Sequence, residues 1–188
     1  MACGAPEAQG LPRKQVRALL QDSQGTLWVS IILDGLFRGT NGQFTRVEGL
    51  GPEGGNVYSL MEDREGGIWA GTNVLWNWSG GEWKRFDSAS GLPKGIVQSL
   101  AQSGDGTVWV GARNGGLYRS NGGRFERVAR EGALFNESVS TVMADREGSV
   151  WAGVVAGGLH RLSPRVLRYC GPDAGLARTA VTSVVEDA

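Results

Sequence analysis

The strongest constraint on this chain is a tryptophan that returns at intervals of 41, 40 and 42 residues. Each copy lies three residues after a glycine that closes a turn, and a valine precedes each turn by six residues. The tryptophans are Trp28, Trp69, Trp109 and Trp151; the glycines are Gly25, Gly66, Gly106 and Gly148; the valines are Val16, Val57, Val97 and Val139. A further copy begins at Val181 with VTSVVED. Self-similarity at this period predicts a solenoid or a propeller.

Each repeat has the pattern of four short strands. In the third copy, runs of β-branched and aromatic residues at 97–100, 107–111, 117–120 and 125–128 alternate with turn residues. An Asp or Ser opens the first turn, where its side chain can accept backbone N–H bonds, and a glycine that can take positive φ closes it. Glycine accounts for 31 of the 188 residues, which suits many tight turns. The sequence therefore predicts consecutive antiparallel hairpins and an all-β chain.

Four antiparallel strands in a unit of this length are typical of a β-propeller blade. We expect one propeller domain over residues 1–188, with four four-stranded blades at approximately 13–48, 54–87, 94–129 and 136–170 and the first strand of a fifth at 178–188. The Val-x-Ser-Leu strand should lie nearest the axis and the Trp strand second. The tryptophans should pack between neighbouring blades, together with the column Leu36, Leu117 and Leu159.

Three segments carry a resemblance to a known family: 63–72 (DREGGIWAGT), 106–119 (GTVWVGARNGGLYR) and 145–161 (DREGSVWAGVVAGGLHR). They resemble the two-component regulator propeller repeat, and the Gly-Leu-Pro lead-ins at 10–12 and 91–93 belong to the same pattern. The resemblance covers roughly residues 10 to 188. It implies the periplasmic or extracellular sensor region of a membrane-anchored bacterial hybrid histidine kinase or related regulator. In such receptors the propeller precedes a β-sandwich, a membrane helix and a cytoplasmic output domain.

Complete propellers of this family usually have more than four blades, and the last repeat here stops before its turn glycine and tryptophan. We therefore expect an incomplete propeller, an open arc whose end blades are completed by remaining blades or by a second copy of the chain. The alternative is that four blades close into a small ring.

Composition excludes several functions. Formal net charge is zero with acids and bases mixed throughout, which argues against nucleic acid and anionic lipid as partners. No apolar stretch reaches 18 residues, so we expect no membrane span or direct membrane contact, and residues 1–10 are too polar for a secretory signal. Cys3 and Cys170 leave a disulfide, free thiols or a lipid-anchored Cys3 open; we expect them unpaired, because two cysteines do not make a disulfide framework.

Residues for catalysis are few. The only histidine, His160, occupies the column that holds Phe37 and Tyr118 in other repeats, so we interpret it as a strand residue. One histidine and two cysteines exclude His/Cys metal sites, and we expect no metal, no cofactor and no catalysis by this chain. Acids that could pair for glycoside cleavage lie at unrelated repeat positions: Glu53, Asp87, Glu131, Glu137 and Asp173. The turn acids Asp22, Asp63, Asp145 and Asp187 should only form turns.

A ligand site is expected on the face where the long connections gather, because loops on a rigid scaffold carry binding more often than the scaffold does. The candidate ligand-binding residues combine polar side chains with aromatic rings: Asn73, Trp76, Trp78, Lys94, Arg113, Asn114, Phe135 and Asn136. Trp76 and Trp78 occur only in the second repeat and alternate on one strand, so both should face the same side. They either bind a ligand or fill the core between blades.

The sequence supports a sensor module that binds an extracellular ligand and does no chemistry. An oligosaccharide is favoured only because the family resemblance implies polysaccharide-sensing receptors. One alternative is a carbohydrate-active propeller enzyme of the sialidase or xyloglucanase kind, since 115–125 (GGLYRSNGGRF) faintly resembles the Asp-box turn of those enzymes. Another is a protein-interaction scaffold.

Overall fold

The computed structural model describes residues 9–51, 55–128, 134 and 137–163, together with the backbone of a strand at 167–170. This part of the chain forms four antiparallel sheets of four strands each, which confirms the all-β propeller prediction. Cys3 and the fifth repeat at 178–188 lie outside the described residues.

The sixteen strands follow one another in chain order, four to a blade. They are β1 (Val16–Gln21), β2 (Leu27–Ile31), β3 (Gly35–Thr40), β4 (Gln43–Arg46), β5 (Ser59–Glu62), β6 (Ile68–Gly71), β7 (Leu75–Ser79), β8 (Glu82–Phe86), β9 (Val97–Gln102), β10 (Val108–Ala112), β11 (Gly116–Asn121), β12 (Arg124–Arg127), β13 (Val139–Ala144), β14 (Val150–Val154), β15 (Gly158–Leu162) and β16 (Leu167–Cys170). A short 3-10 turn at Ser88–Ser90 follows the second blade.

Within every sheet the spatial order of the strands is the chain order, so the tryptophan strand is second, as predicted. Neighbouring blades meet through their first strands, β1 with β5, β5 with β9 and β9 with β13, which places these strands innermost. In the described part of the chain, β1 and β13 make no comparable contact, so these four blades form an open arc.

Each turn between the first two strands is tied to the tryptophan that follows it. The carboxylate of Asp22 accepts hydrogen bonds from the backbone N–H of Thr26 at 2.8 Å and from the Trp28 indole at 2.9 Å. Burial raises the pKa of Asp22, but these hydrogen bonds outweigh burial and hold it below 3.8. Asp63 and Asp145 bind their tryptophans in the same way, at 2.7 Å.

The third blade makes this connection through two residues. The Trp109 indole donates to the Ser103 hydroxyl at 2.9 Å, and that hydroxyl donates to the Asp105 carboxylate at 2.7 Å. The hydrogen bonds from Ser103 and from the Thr107 backbone lower the pKa of Asp105. Asp22, Asp63 and Asp145 are therefore turn formers, as expected, and they also fix the indoles in position; Asp187 lies outside the described residues.

The core lies between blades rather than within them. Trp28 and Leu36 of the first blade pack against Val57 and Ile68 of the second. Trp69 and Leu75 pack in the same way on the third blade, and Trp109 and Leu117 on the fourth. Trp151 and Leu159, at the corresponding positions of the fourth blade, are only half-buried. The prediction that these columns pack between blades is confirmed for the first three blades.

The opposite side of the first blade has an uncovered inner strand. Val16 is 45% exposed and Leu19 is 61% exposed. The valines in the Val16 column of the later blades are buried, and the side chains in the Leu19 column pack into the interblade cores. We call this side of the first blade, marked by Val16 and Leu19, the leading face. It has the residues of a blade interface at a place where no described blade covers them.

Candidate functional site

The four blades present two faces on which a ligand could bind, and we name each by the connections it carries. The loop face carries the β2–β3, β6–β7, β10–β11 and β14–β15 loops, and the turn face carries the tryptophan-anchored turns. Backbone bonds link the loops to the segments entering their own blades: the Arg113 N–H donates to the Ile96 carbonyl at 2.8 Å, and the Val155 N–H donates to the Ser138 carbonyl at 2.9 Å. The segments that enter the third and fourth blades therefore lie on the same face as these loops, as the sequence predicted.

Four of the predicted site residues are exposed on the loop face: Asn73, Lys94, Arg113 and Asn114. The Arg113–Ile96 bond brings Arg113 beside the segment that contains Lys94. Asn114 is held towards the fourth blade, because the Ser138 hydroxyl donates to its side-chain carbonyl at 2.7 Å. These residues make a polar surface on the second and third blades. Phe135 and Asn136 lie outside the described residues.

The two tryptophans of the second blade lie elsewhere. Trp76 and Trp78 do face the same side of their strand, but that side packs against the first blade. Trp76 is 7% exposed and belongs to the interblade core with Trp28 and Val57, so the structure gives it the core-filling role. Trp78 is half-buried, lies near the turn face and contacts Trp83 at a ring separation of 5.3 Å.

Tips of three loops adopt positive φ without glycine: Leu33 at 65°, Asn114 at 55° and Ala156 at 59°. Asparagine tolerates this conformation, whereas leucine is strained in it. Leu33 is also 74% exposed. A strained, exposed apolar tip is a surface feature that the sequence pattern did not reveal.

Two clefts open near the turn face, at repeat-equivalent positions between blades. The first-interface cleft, of 390 Å³, lies between the first and second blades. It is lined by Asp22, Gln24, Thr26, Trp28, Arg38, Gly39, Thr40, Gln43, Thr45, Glu62, Gly66, Ile68 and Trp78. The third-interface cleft, of 550 Å³, lies between the third and fourth blades and includes Trp109, Arg119, Val128 and Leu162. Of the predicted site residues that the structure describes, only Trp78 lines one of these two clefts.

Acid–base chemistry has little support in the described residues. His160 is buried in the Phe37/Tyr118 column, and burial lowers its pKa below 6.5. Asp87 caps the 3-10 turn through the Ala89 N–H at 2.9 Å and pairs with Arg85 at 3.2 Å. Among the residues that the structure describes, no three His, Cys, Asp or Glu side chains converge on a metal position. Glu53, Glu131 and Asp173 lie outside those residues.

Two segments of the chain match a known repeat family. Residues 10–31 and 51–74 match the family model of the two component regulator propeller. These segments contain the first two strands of the first and second blades. No curated protein matches the chain. Within the residues that the structure describes, no helix has the length and hydrophobicity of a membrane span.

The chain is similar to the extracellular domain of BT4673 from B. thetaiotaomicron, described as a one component system, with 24% identity and a TM-score of 0.67 over 82% of this chain and 22% of that chain. A second structure of this domain, described as that of a hybrid two component system, gives 22% identity and a TM-score of 0.66 over 84% of this chain and 21% of that chain. The chain thus spans about a fifth of the length of this relative.

Other propellers are similarly close in structure. Virginiamycin B lyase from Staphylococcus aureus has a TM-score of 0.69 at 14% identity, over 85% of this chain and 56% of that chain. PorZ, a surface component of the type-IX secretion system of Porphyromonas gingivalis, has a TM-score of 0.67 at 12% identity, over 96% of this chain and 30% of that chain. At these identities the likeness shows the fold alone, and one fold serves several functions. The chain is thus a β-propeller whose first two blades are similar in sequence to the two component regulator propeller.

Proposed function

We propose that this chain is the ligand-sensing propeller module of a bacterial two-component receptor of the hybrid sensor kinase type. In this proposal it lies on the periplasmic or extracellular side of a membrane-anchored receptor, binds an oligosaccharide and performs no chemistry. The match of two repeats to the two component regulator propeller carries the proposal. The fold shared with the extracellular domain of a hybrid two component system supports it.

The chemistry of the surface supports binding rather than turnover. Exposed Asn73, Arg113 and Asn114 offer hydrogen-bond donors and acceptors on a rigid scaffold, as a polyhydroxylated ligand requires. The turn carboxylates are engaged by indole and backbone N–H groups, and His160 is buried in an interblade column. General acid–base catalysis needs titratable groups within reach of a substrate.

A propeller enzyme is the second candidate, and the likeness to virginiamycin B lyase favours it. A lyase or a glycoside hydrolase would need a convergent set of reactive groups. Asp22 and Glu62 line one cleft, but each carboxylate is already engaged, Asp22 by the Trp28 indole and Glu62 by Ser23, so this candidate ranks below the sensor.

Binding and turnover can be measured on one set of probes. The purified chain is titrated by calorimetry with cello-, manno- and malto-oligosaccharides, and the same mixtures are then analysed for cleavage by chromatography. We expect saturable binding of a glycan that is recovered intact. Cleavage that is abolished by replacing two carboxylates would establish the enzyme instead, and failure to bind any of the glycans would overturn the oligosaccharide proposal.

For a macromolecular partner we propose another blade, from the rest of a receptor or from a second copy of this chain. The leading face exposes Val16 and Leu19, whose columns are covered by the preceding blade elsewhere in the arc. A covering blade would bury apolar surface worth about 1.5–3 kcal/mol for a leucine-sized side chain. The trailing side of the fourth blade, with half-buried Trp151 and Leu159, is the complementary surface.

Leu19→Lys is therefore expected to weaken self-association about tenfold or more. Light scattering over a concentration series measures the change. Leu33→Lys is the matched control, because Leu33 is more exposed than Leu19 but lies on the loop face. Equal effects of the two substitutions, or a wild-type chain that stays monomeric at all concentrations, would contradict the head-to-tail contact.

A further inference from the structure

The first-interface cleft contains an arginine held between two indoles. The guanidinium carbon of Arg38 lies 5.7 Å from the Trp28 ring centroid and 5.6 Å from that of Trp78. Cation–π contacts of this kind orient the guanidinium plane without using its N–H donors. Among the described residues, no carboxylate forms an ion pair with Arg38. Its donors are therefore directed by packing rather than by a salt bridge.

The equivalent arginine of the third blade is arranged differently. Arg119 binds Glu126 on the neighbouring strand, with nitrogen–oxygen distances of 2.7 and 2.6 Å. Thr45 is the residue opposite Arg38 in the first blade, where the third blade has Glu126 opposite Arg119. Leu162 stands in the fourth blade where the second blade has Trp78. Of the three described interfaces, only the first combines two indoles against an arginine with the absence of an ion pair to that arginine.

Different side chains occupy the corresponding positions at the second interface, between the second and third blades. Asn77 takes the arginine position there, opposite Trp69. Phe86 takes the position of Val47 and Val128, and its ring stacks on Trp69 at 5.5 Å. A phenyl ring thus occupies space that the smaller valines leave in the other two interfaces.

The charges around Arg38 indicate what the cleft can accept. Asp22 and Glu62 line the same cleft. Asp22 is bound by the Trp28 indole, and Glu62 accepts the Ser23 N–H at 2.8 Å and the Ser23 hydroxyl at 2.6 Å. One cation beside two carboxylates disfavours an anionic ligand. The neutral side chains of Gln24, Thr40 and Thr45 add further hydrogen-bonding groups.

We propose that the first-interface cleft binds a neutral sugar unit, with the Arg38 N–H groups donating to its hydroxyls. Trp28 and Trp78 are positioning residues that hold the guanidinium across the cleft. This inference rests on the proposed oligosaccharide function and deepens it, because it moves a binding site from the loop face to the junction of the first two blades.

The test uses residues that other blades already carry at the same positions. Thr45→Glu installs the carboxylate of the third blade and should pair with Arg38, so affinity for the neutral glycan should fall about tenfold or more. Arg38→Gln should have a similar effect. Trp78→Leu installs the residue of the fourth blade and should weaken binding, whereas Trp78→Phe retains a ring against the guanidinium and should restore most of the affinity. Glu126→Thr is the matched control and should leave affinity unchanged.

Affinities are measured by calorimetry for cello-, manno- and malto-oligosaccharides and for acidic oligogalacturonides, and thermal melts check that each variant is folded. Full affinity of Thr45→Glu and Arg38→Gln, with loss of binding in Arg113→Ala or Asn114→Ala, would overturn the cleft and leave the oligosaccharide function standing. A wild-type preference for oligogalacturonides would overturn the neutral ligand. No binding to any of these probes would overturn the site and the function together.

Discussion

Replacing Trp69 by alanine is expected to lower the free energy of unfolding by about 3–5 kcal/mol, the usual cost of deleting a buried indole. Trp69 is buried between the second and third blades, with Phe86 at 5.5 Å and Phe125 edge-on at 6.3 Å. Its indole also binds Asp63. Each interface couples neighbouring repeats, so a cavity here weakens the contact that joins the first two blades to the third and fourth. Urea denaturation followed by circular dichroism gives the change.

Trp151→Ala separates packing from turn anchoring. The Trp151 indole donates to Asp145 at 2.7 Å, the same distance as between Trp69 and Asp63, but its ring is only half-buried. Both tryptophans make the same hydrogen bond to their turn. We expect Trp151→Ala to lower the free energy of unfolding by only about 1–2 kcal/mol, and the difference from Trp69→Ala is then due to interblade packing. Equal losses at both positions would mean that the tryptophan column acts by fixing the turn and that our account of the core is wrong.

The fold could be predicted from the period because a blade cannot bury its apolar faces alone. The Trp spacing, the turn glycines and the alternation of the strands all specify the same unit, so strand order and the position of Trp109 in an interblade core follow. The hydrogen bond from each indole to its own turn was not predicted. It depends on two side chains six residues apart turning towards each other across a hairpin, as Asp63 and Trp69 do.

The repeat pattern says less about the candidate site than about the fold, because Trp76 and Trp78 occur in the second repeat alone. Asn73, Lys94, Arg113 and Asn114 are exposed as expected, but Trp76 lies in the core. Whether a strand tryptophan packs or binds depends on the space the facing blade leaves, which spacing alone does not give. The Arg38 arrangement had a sequence signal: Thr45 stands where the third repeat has Glu126, and the cross-strand register needed to read it came from the structure.

The same register shows that a serine hydroxyl lies on the second strand in the first blade but on the first strand in the second blade. In the first blade Ala18 lies opposite Ser30, and the Ser30 hydroxyl donates to the Val57 carbonyl of the next blade at 2.7 Å. In the second blade Ser59 lies opposite Gly71, and the Ser59 hydroxyl donates to the Val97 carbonyl at 3.1 Å. In both blades, therefore, a serine hydroxyl donates to the carbonyl of the inner-strand valine of the next blade.

Gly71→Ala is expected to destabilise the chain by roughly 3 kcal/mol, combining overpacking with displacement of a buried hydrogen bond. An added Cβ would lie 2.2 Å from the Ser59 hydroxyl oxygen and 2.7 Å from the Val97 carbonyl oxygen, and the latter is backbone that can move only if the blades separate. Gly104→Ala is the control, because the nearest atom to its Cβ would be 3.9 Å away on a flexible arginine; its effect should be within about 0.5 kcal/mol.

The double variant Ser59→Ala, Gly71→Ser rebuilds the first-blade pair in the second blade. Removing the Ser59 hydroxyl clears the closest clash, and the new serine at position 71 can donate to the Val97 carbonyl as Ser30 does to Val57. The Cβ at position 71 still lies 2.7 Å from the Val97 carbonyl oxygen, so we expect the double variant to recover part of the stability lost in Gly71→Ala. The coupling between Ser59→Ala and Gly71→Ser should be about 1–3 kcal/mol, because the two residues are in direct contact. Denaturation curves for the two single variants and the double variant give this coupling. A double variant no more stable than Gly71→Ala would show that the second interface requires glycine for backbone approach alone, whichever strand carries the hydroxyl.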